Sequence, residues 1–256
     1  MSLSSIIRLT IFTGLSALLF SCETQKEDFQ TEALKDYLPL INGKYITYRV
    51  DSTVFTNFGR TTEIHRYQEK HVVDAQVTDN LGRPAYRVFR YINDSTASGA
   101  WVPSGSYMVV PQDLQYEVIE DNLRVIKLHS PIKQDFSWKG NSFLANNPYD
   151  AMYNFSNDDN MEDWDFYYDN LGGSESYRGN NYTDVTTVEQ ADESYNVPIV
   201  DVNAYAARSR SVEKYSKTIG LVFRQFELWE YQPNTGGSGG PYKTGFGVTM
   251  WMVGHN

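Results

Sequence analysis

The chain has 256 residues, with 22 basic and 32 acidic side chains and a formal net charge of −10 at pH 7. This length is enough for one large domain with a substantial apolar core. The acidic balance excludes a broad nucleic-acid-binding surface, and the single cysteine excludes an internal disulfide. Aromatic residues make up 14% of the chain, a content that favours strands over helical bundles.

The first residues are typical of a secretory signal peptide. Residues 1–21 contain one charged side chain, Arg8, and then an apolar stretch that is too short to span a bilayer. The only cysteine, Cys22, stands at the expected cleavage point after Leu18-Leu19-Phe20-Ser21. This junction resembles the lipobox of bacterial lipoproteins, in which the cysteine receives the lipid. The alternative is a cysteine that follows the signal of a soluble secreted protein by chance.

Lipidation at Cys22, as the resemblance implies, would attach three acyl chains, palmitate among them. At about 0.8 kcal/mol for each buried methylene, these chains would anchor the protein to a membrane permanently. The same modification would consume the only thiol, which excludes redox chemistry at cysteine.

A polar segment follows the cysteine, and we expect residues 22–36 to form a lipidated, flexible tether. Four residues of this segment resemble the export signal of Bacteroidota surface lipoproteins: Gln25, Lys26, Glu27 and Asp28. That resemblance implies an outer-membrane protein exposed at the cell surface. The alternative is a solvated spacer, with the domain facing the periplasm.

From Tyr37 onward, short alternating segments separated by turn residues predict an antiparallel sheet. Two hairpins are expected, one around residues 79–82 and one around Asp121-Asn122, because these residues favour tight turns. We predict about nine or ten strands in a single all-β domain over residues 37–256, arranged as a curved sheet, open barrel or sandwich with long loops. The predicted strands include Ile46–Val50, His71–Thr78, Pro84–Ile92, Gln115–Glu120, Leu123–Leu128, Tyr182–Glu189, Ser211–Ser216, Leu221–Tyr231 and Phe246–Val253.

The last predicted strand is apolar on both faces. One face carries Phe246, Val248, Met250 and Met252, and the other carries Trp251 and Val253. Such a strand is either central and covered or lines an enclosed interior.

Short motifs along the domain resemble those of uncharacterised Bacteroidota outer-membrane and surface lipoproteins. They are Tyr37-Leu38-Pro39-Leu40, Gly43-Lys44-Tyr45, Pro131-Ile132, Trp138-Lys139-Gly140-Asn141, Tyr215-Ser216-Lys217, Gly220-Leu221-Val222 and Trp229-Glu230-Tyr231. The resemblance implies a location and an all-β fold, and it supplies no catalytic residues.

An acidic segment, residues 140–177, carries eight acids and no lysine or arginine. Asp158, Asn160 and Glu162 have the alternate spacing of ligands in a calcium loop, although Asp163 stands where an EF-hand needs glycine. The alternative is a solvated acidic loop. The aromatic residues Trp164, Tyr167 and Tyr168 offer flat faces for a sugar ring, with core packing as the alternative.

Catalytic motifs are weak in this sequence. The four histidines lack the spacing of a helical zinc pair, and the G-x-S-x-G match at Gly236–Gly240 lies in a glycine tract between two strands rather than in a strand-to-helix turn. Phosphate-binding glycine loops are absent from the sequence. We therefore expect a protein that is not an enzyme.

Three functional hypotheses follow from the sequence. The first is a lipid-anchored, non-catalytic envelope protein that binds or scaffolds an outer-membrane protein or a polysaccharide. The second is a carrier of lipid or another apolar ligand inside a barrel-like cavity. The third is a hydrolase of glycans or peptides, which would need two carboxyl groups facing each other across a cleft.

Overall fold

Twelve antiparallel strands make up most of the fold in a computed structural model, which describes residues 31–256 except 154, 157–159, 235 and 237–238. Strands account for 61% of the described residues, which confirms the all-β prediction. Within the described residues the strands are β1 (Tyr45–Thr56), β2 (Thr61–Thr78), β3 (Pro84–Asp94), β4 (Val102–Pro111), β5 (Gln115–Glu120), β6 (Leu123–His129), β7 (Ser137–Lys139), β8 (Asp165–Tyr177), β9 (Asn180–Tyr195), β10 (Ala206–Ser216), β11 (Gly220–Gln232) and β12 (Tyr242–His255).

The strands form one up-and-down sheet that is nearly closed into a barrel. Consecutive strands pair with one another except β6 and β7, and β1 pairs with β12, so the sheet order runs from β6 back to β1 and then from β12 to β7. The sheet therefore ends at β6 and β7, which are consecutive in the chain. The barrel has a single seam between these two strands.

Backbone and side-chain hydrogen bonds bridge the seam where a strand pair would otherwise do so. The backbone N–H of Ile126 donates to the carbonyl of Gly140 at 2.8 Å, and the indole N–H of Trp138 donates to the carbonyl of Ile126 at 2.9 Å. The Tyr168 hydroxyl donates to the carbonyl of His129 at 2.6 Å and accepts its N–H at 3.1 Å. These bonds satisfy backbone groups that the edge of β6 would leave exposed.

One end of the barrel, here called the α1 end, is covered by the residues that precede β1. Helix α1 (Leu34–Tyr37) buries both of its terminal side chains, which are 5% and 2% exposed. The N–H of Thr218, in the turn between β10 and β11, donates to the carbonyl of Asp36 at 2.6 Å. The folded part therefore begins before residue 37, because the apolar side chains of α1 pack onto the sheet.

The opposite end of the barrel is where β1, β3, β5, β7, β9 and β11 finish. Residues 140–164, called here the capping segment, join β7 to β8 at this end. The segment contains the short helix α2 (Asp150–Tyr153) and a 3₁₀ turn (Met161–Asp163). Its described residues include four buried side chains: Asn141, Leu144, Phe155 and Met161.

Several expectations are confirmed and others need correction. The turn at Asp121-Asn122 joins β5 to β6 with positive φ at both residues, as the sequence predicted. The strand count is twelve rather than nine or ten, because β4, β7 and β8 were not predicted. Strand β8 occupies the end of the acidic segment. Its first residues alternate as a strand requires, because Phe166 and Tyr168 are buried and the residues beside them are exposed.

The proposed lipidation and export residues, Cys22, Gln25, Lys26, Glu27 and Asp28, lie outside the described residues, and so does the predicted signal peptide. Among the helices in the described part of the chain, none has the length and hydropathy needed to span a bilayer.

Candidate functional site

A cavity of about 200 Å³ lies inside the barrel beneath the capping segment. Its lining comes from strands on both halves of the sheet and from the capping segment, including residues from β1, β2, β3, β5, β6, β9, β10, β11 and β12. Alternate residues of a strand face the same side of a sheet, so one face of each of these strands supplies the wall. Val248 and Met250 of β12 are part of it, which agrees with the second of the two positions that the apolar pattern of the last strand allowed.

Aromatic rings form the wall of the cavity beside the capping segment. The ring of Tyr153 stacks on that of Phe246 with centroids 4.0 Å apart. Tyr149 lies 5.4 Å from Phe226 and 5.2 Å from Phe246, again between ring centroids. Tyr153 is 43% exposed, so this ring stands at the mouth of the cavity. The wall offers flat apolar surfaces to a ligand.

The centre of the barrel holds a buried carboxylate, Glu213 of β10. Its Oε1 accepts from Lys127 Nζ at 2.9 Å and from Arg224 Nε at 2.7 Å. Its Oε2 accepts from Gln190 Nε2 at 3.1 Å and from the hydroxyl of Tyr215 at 2.7 Å. The side chain is 1% exposed, and all of these donors lie on other strands or two residues away on β10. Burial of a carboxylate without such partners would be very costly.

The charges around Glu213 set its protonation state. Burial alone would raise the pKa of Glu213, but the Lys127 ammonium and the Arg224 guanidinium outweigh burial and hold the pKa at about 2. Burial lowers the pKa of Lys127, and Glu213 opposes that effect only in part. The pKa of Arg224 is raised because the carboxylates of Glu213 and Glu120 overcome its burial. At neutral pH Glu213 is therefore an ion held by cations.

A second group of charges lines the cavity between Glu213 and the mouth. Arg90 Nη1 donates to Glu120 Oε1 at 2.7 Å, and Arg224 Nη1 lies 3.8 Å from Glu120 Oε2. Asp121, at the tip of the β5–β6 hairpin, lies 3.4 Å from Arg90 Nη2 and is half exposed. Glu120 therefore lies between Arg90, which is nearer the mouth, and Arg224, which is at the centre of the barrel.

Glu69 and His71 of β2 complete the polar wall. Nε2 of His71 lies 3.1 Å from Glu69 Oε2, and its Nδ1 lies 3.1 Å from the hydroxyl of Tyr107. Burial works to raise the pKa of Glu69, but the hydrogen bond from His71 and the charges of Arg90 and Arg224 lower it overall. Glu69 is therefore ionised at neutral pH.

A smaller cavity of about 70 Å³ lies toward the α1 end, lined by Leu38, Pro39 and Leu40 among others. Five residues line both cavities: His71, Val118, Glu120, Lys127 and Arg224. The charged cluster therefore stands between the two spaces, with the larger one at the capping segment.

The predicted sugar-binding rings do not share a surface. Trp164 is partly buried and lines the large cavity, whereas Tyr167 is 37% exposed on β8. Tyr168 is fully buried at the seam, and burial raises the pKa of its hydroxyl. Of these three rings, only that of Trp164 belongs to the cavity.

The calcium prediction falls partly outside the described residues, since Asp158 is among those omitted. Asn160 has a left-handed backbone and precedes the 3₁₀ turn that contains Glu162. Within the described residues, no cluster of three or more histidine, cysteine, aspartate or glutamate side chains is placed to hold a metal ion.

The charged interior formed by Lys127, Glu213 and Arg224 was not predicted from the sequence. Lys127 and Glu213 are 86 residues apart in the chain, so no local motif links them. A signal was nonetheless present at Arg224, whose alternate neighbours in β11, Val222 and Phe226, are both apolar.

Comparisons with known proteins give little information. No protein-family model and no curated protein sequence matches the chain. One similar solved structure, described as an outer membrane lipoprotein-sorting protein domain from Vibrio parahaemolyticus, is 11% identical with a TM-score of 0.21, covering 84% of this chain and 85% of that one. Another, a DUF1329 family protein from Desulfovibrio piger ATCC 29098, is 13% identical with a TM-score of 0.20, covering 86% and 88%.

Proposed function

We propose that this protein is a non-catalytic binding protein of the cell envelope whose barrel interior holds a small amphipathic molecule. Cys22 would anchor it to the outer membrane, with the domain at the cell surface if Gln25–Asp28 acts as an export signal. The proposal combines the binding and carrier hypotheses, and one observation carries it. The cavity of about 200 Å³ has aromatic rings on one side and hydrogen-bonded charges on the other.

The volume of the cavity limits the size of the ligand. An engineered apolar cavity of about 150 Å³ in another protein accommodates one benzene molecule. A cavity of about 200 Å³ therefore suits a molecule of one or two rings. A diacyl lipid needs several times this space, so we favour a small ring-bearing ligand over a lipid.

The composition of the wall supports an amphipathic ligand. The rings of Tyr149, Tyr153 and Phe246 would cover an apolar or aromatic portion. The opposite wall, with Glu120 and Arg90, would face a polar portion. An entirely apolar ligand would leave this polar wall without new hydrogen bonds, and an entirely polar ligand would leave the rings uncovered.

Two carboxylates of the cavity, Glu69 and Glu213, support binding better than hydrolysis. A glycosidase mechanism needs one protonated carboxyl group to act as the general acid. Glu69 and Glu213 both have lowered pKa values, because histidine, lysine or arginine side chains stabilise their ionised forms. Neither of them is suited to donate a proton at neutral pH.

Two variants at neighbouring positions of β12 test the proposal. Val248 lines the cavity, whereas Thr249 alternates with it and faces away. Val248→Phe would fill the cavity, and Thr249→Phe adds a ring of the same size outside. The wild-type protein and both variants are extracted from membranes in mild detergent, denatured, and examined by mass spectrometry for released small molecules.

We expect one small molecule in near-stoichiometric amount from the wild type and from Thr249→Phe, and at least a ten-fold loss from Val248→Phe. Circular dichroism establishes that both variants fold. Equal release from Val248→Phe would place the molecule outside the cavity. A wild-type protein that releases nothing would contradict the proposal directly.

A further inference from the structure

Six charged side chains, three acids and three bases, line the enclosed part of the large cavity. They are Glu69, Glu120, Glu213, Arg90, Lys127 and Arg224. Their formal charges cancel when His71 is neutral. Asp121 also lines the cavity, but it is half exposed at the mouth, where water screens its charge.

These charges are already paired with one another. Glu213 accepts four hydrogen bonds, two of them from Lys127 and Arg224, so both of its oxygens are fully occupied. Glu120 lies between Arg90 at 2.7 Å and Arg224 at 3.8 Å. Each charge in this group has an opposite charge close by, and one buried donor among them, the Nε–H of Arg90, has no hydrogen-bond partner.

The pairing decides which ligands the cavity favours. A charged ligand would have to leave water and either remain unpaired or break an existing ion pair, and both are costly in a poorly solvated interior. An uncharged polar group loses much less on leaving water, and it can form hydrogen bonds at the edge of the network without disturbing it.

On the basis of the proposed function, we infer that the ligand is an uncharged one- or two-ring molecule with a carbonyl, amide or hydroxyl group. The rings of Tyr153 and Phe246 cover its aromatic portion. Its polar group faces Glu120 and Arg90, whose mutual ion pair remains intact.

Three probes with the same ring system and different charges test this inference. Indole-3-acetamide is neutral, indole-3-acetate is an anion and tryptamine is a cation. The full protein is freed of its co-purified molecule by unfolding in urea and refolding in mild detergent, and binding of each probe is then measured by isothermal titration calorimetry at pH 8, at which histidine side chains in general are uncharged. We expect the amide to bind at least ten-fold more tightly than either charged probe.

Variants that unbalance the wall should change this preference in opposite directions. Glu120→Gln leaves one excess positive charge and should strengthen acetate binding relative to amide binding by at least five-fold. Arg90→Met leaves one excess negative charge and should do the same for tryptamine. Arg87→Met, on the outward face of β3, where Arg87 pairs with Asp74, is the matched control and should leave the order of affinities unchanged.

The outcomes separate the inference from the proposed function. A charged probe that binds the wild type as tightly as the amide would overturn the inference alone, because the cavity would still bind a ring-bearing molecule. If no probe binds, the cavity does not accept ligands of this size, and the proposed function fails together with the inference. Unchanged preferences in both Glu120→Gln and Arg90→Met would also overturn the inference.

Discussion

The ion network around Glu213 should make the stability of the protein depend on pH. In the unfolded chain the pKa of this carboxyl group returns to its ordinary value of 4.5, whereas in the folded protein it is about 2. A pKa that is lower in the folded state adds stability above the unfolded pKa, and this stability is lost as the pH falls through the folded pKa. The relevant window is therefore pH 4.5 to 2.

The magnitude follows from the two pKa values. Each pKa unit corresponds to about 1.36 kcal/mol, so ionised Glu213 contributes about 3 kcal/mol to the free energy of unfolding at neutral pH. About 2 kcal/mol of this contribution should be lost by pH 3. The figure applies to a side chain that is 1% exposed, so solvent screening reduces it little.

The assay is urea unfolding, followed by tryptophan fluorescence at pH 7, 5, 4 and 3. Glu213→Gln should lose less stability than the wild type between pH 7 and pH 3, by about 2 kcal/mol. Glu193→Gln, an exposed position on the neighbouring strand β9, is the control and should retain the wild-type dependence.

Glu213→Gln also leaves Lys127 and Arg224 without their carboxylate, which should destabilise the protein by about 3–5 kcal/mol at pH 7. Lys127→Met combined with Glu213→Gln removes one of the stranded cations and should recover at least about 1 kcal/mol of this loss. A Glu213→Gln protein with the same pH dependence as the wild type would refute the argument. The argument would also be refuted if the double variant lost as much free energy of unfolding as Lys127→Met and Glu213→Gln lose together when measured singly.

Two further predictions concern the barrel itself, and both are measured by urea unfolding at pH 7. Trp138→Phe removes the indole N–H that donates to the buried carbonyl of Ile126 across the seam, and should cost about 2 kcal/mol; no measurable change would mean that the seam does not depend on this bond. Gly245→Ala should cost at least about 2 kcal/mol, because φ is +106° and a Cβ would lie 2.1 Å from the carbonyl oxygen of Leu228. Gly254→Ala, where a Cβ meets nothing within 4 Å, should change stability by less than about 0.5 kcal/mol, and equal effects of the two glycine substitutions would contradict the steric argument.

The parts of the fold that were predictable depend on residues close together in the chain. The turn at Asp121-Asn122 follows from two residues that tolerate positive φ between alternating segments. The inward face of β12 follows from Phe246 and its alternate apolar neighbours. In both cases, the local pattern and the three-dimensional environment agree.

Strand β8 was missed because its acids suggested a solvated loop. Asp165, Asp169 and Glu175 dominate the composition of this stretch, although they lie on the outward or exposed positions of a strand. Phe166 and Tyr168 alternate with them and are fully buried. Composition was thus a poorer guide than periodicity, since a strand on the surface of a barrel can be acidic on one face and apolar on the other.

The cavity could not be predicted locally, since residues distant in the chain form it. Tyr149 and Tyr153 belong to a segment with little periodic pattern, and only the closed sheet brings them against Phe226 and Phe246. The same holds for the ion network, whose members come from β6, β10 and β11.

The number of strands gives a physical reason for the cavity. Eight strands enclose an interior that their own side chains can just fill, and the diameter of a barrel grows with each added strand. Twelve strands enclose an interior that is too wide for the side chains of the strands alone to fill. Here, Leu34 and Tyr37 of α1 occupy one end and the capping segment covers the other, while long charged side chains such as Arg224 cross the middle.

The strands and the capping segment therefore have separable roles in the proposed binding. Strands β10 and β11 hold the ion network, whose loss would weaken the barrel as well as the polar wall. Tyr149 and Tyr153 lie outside the strands, and Tyr153 is only partly buried. Substitutions at these two positions can reshape the aromatic side of the cavity without breaking a strand pair. Under the proposed function, substitutions in the capping segment should therefore change ligand specificity with less loss of stability than substitutions in the ion network.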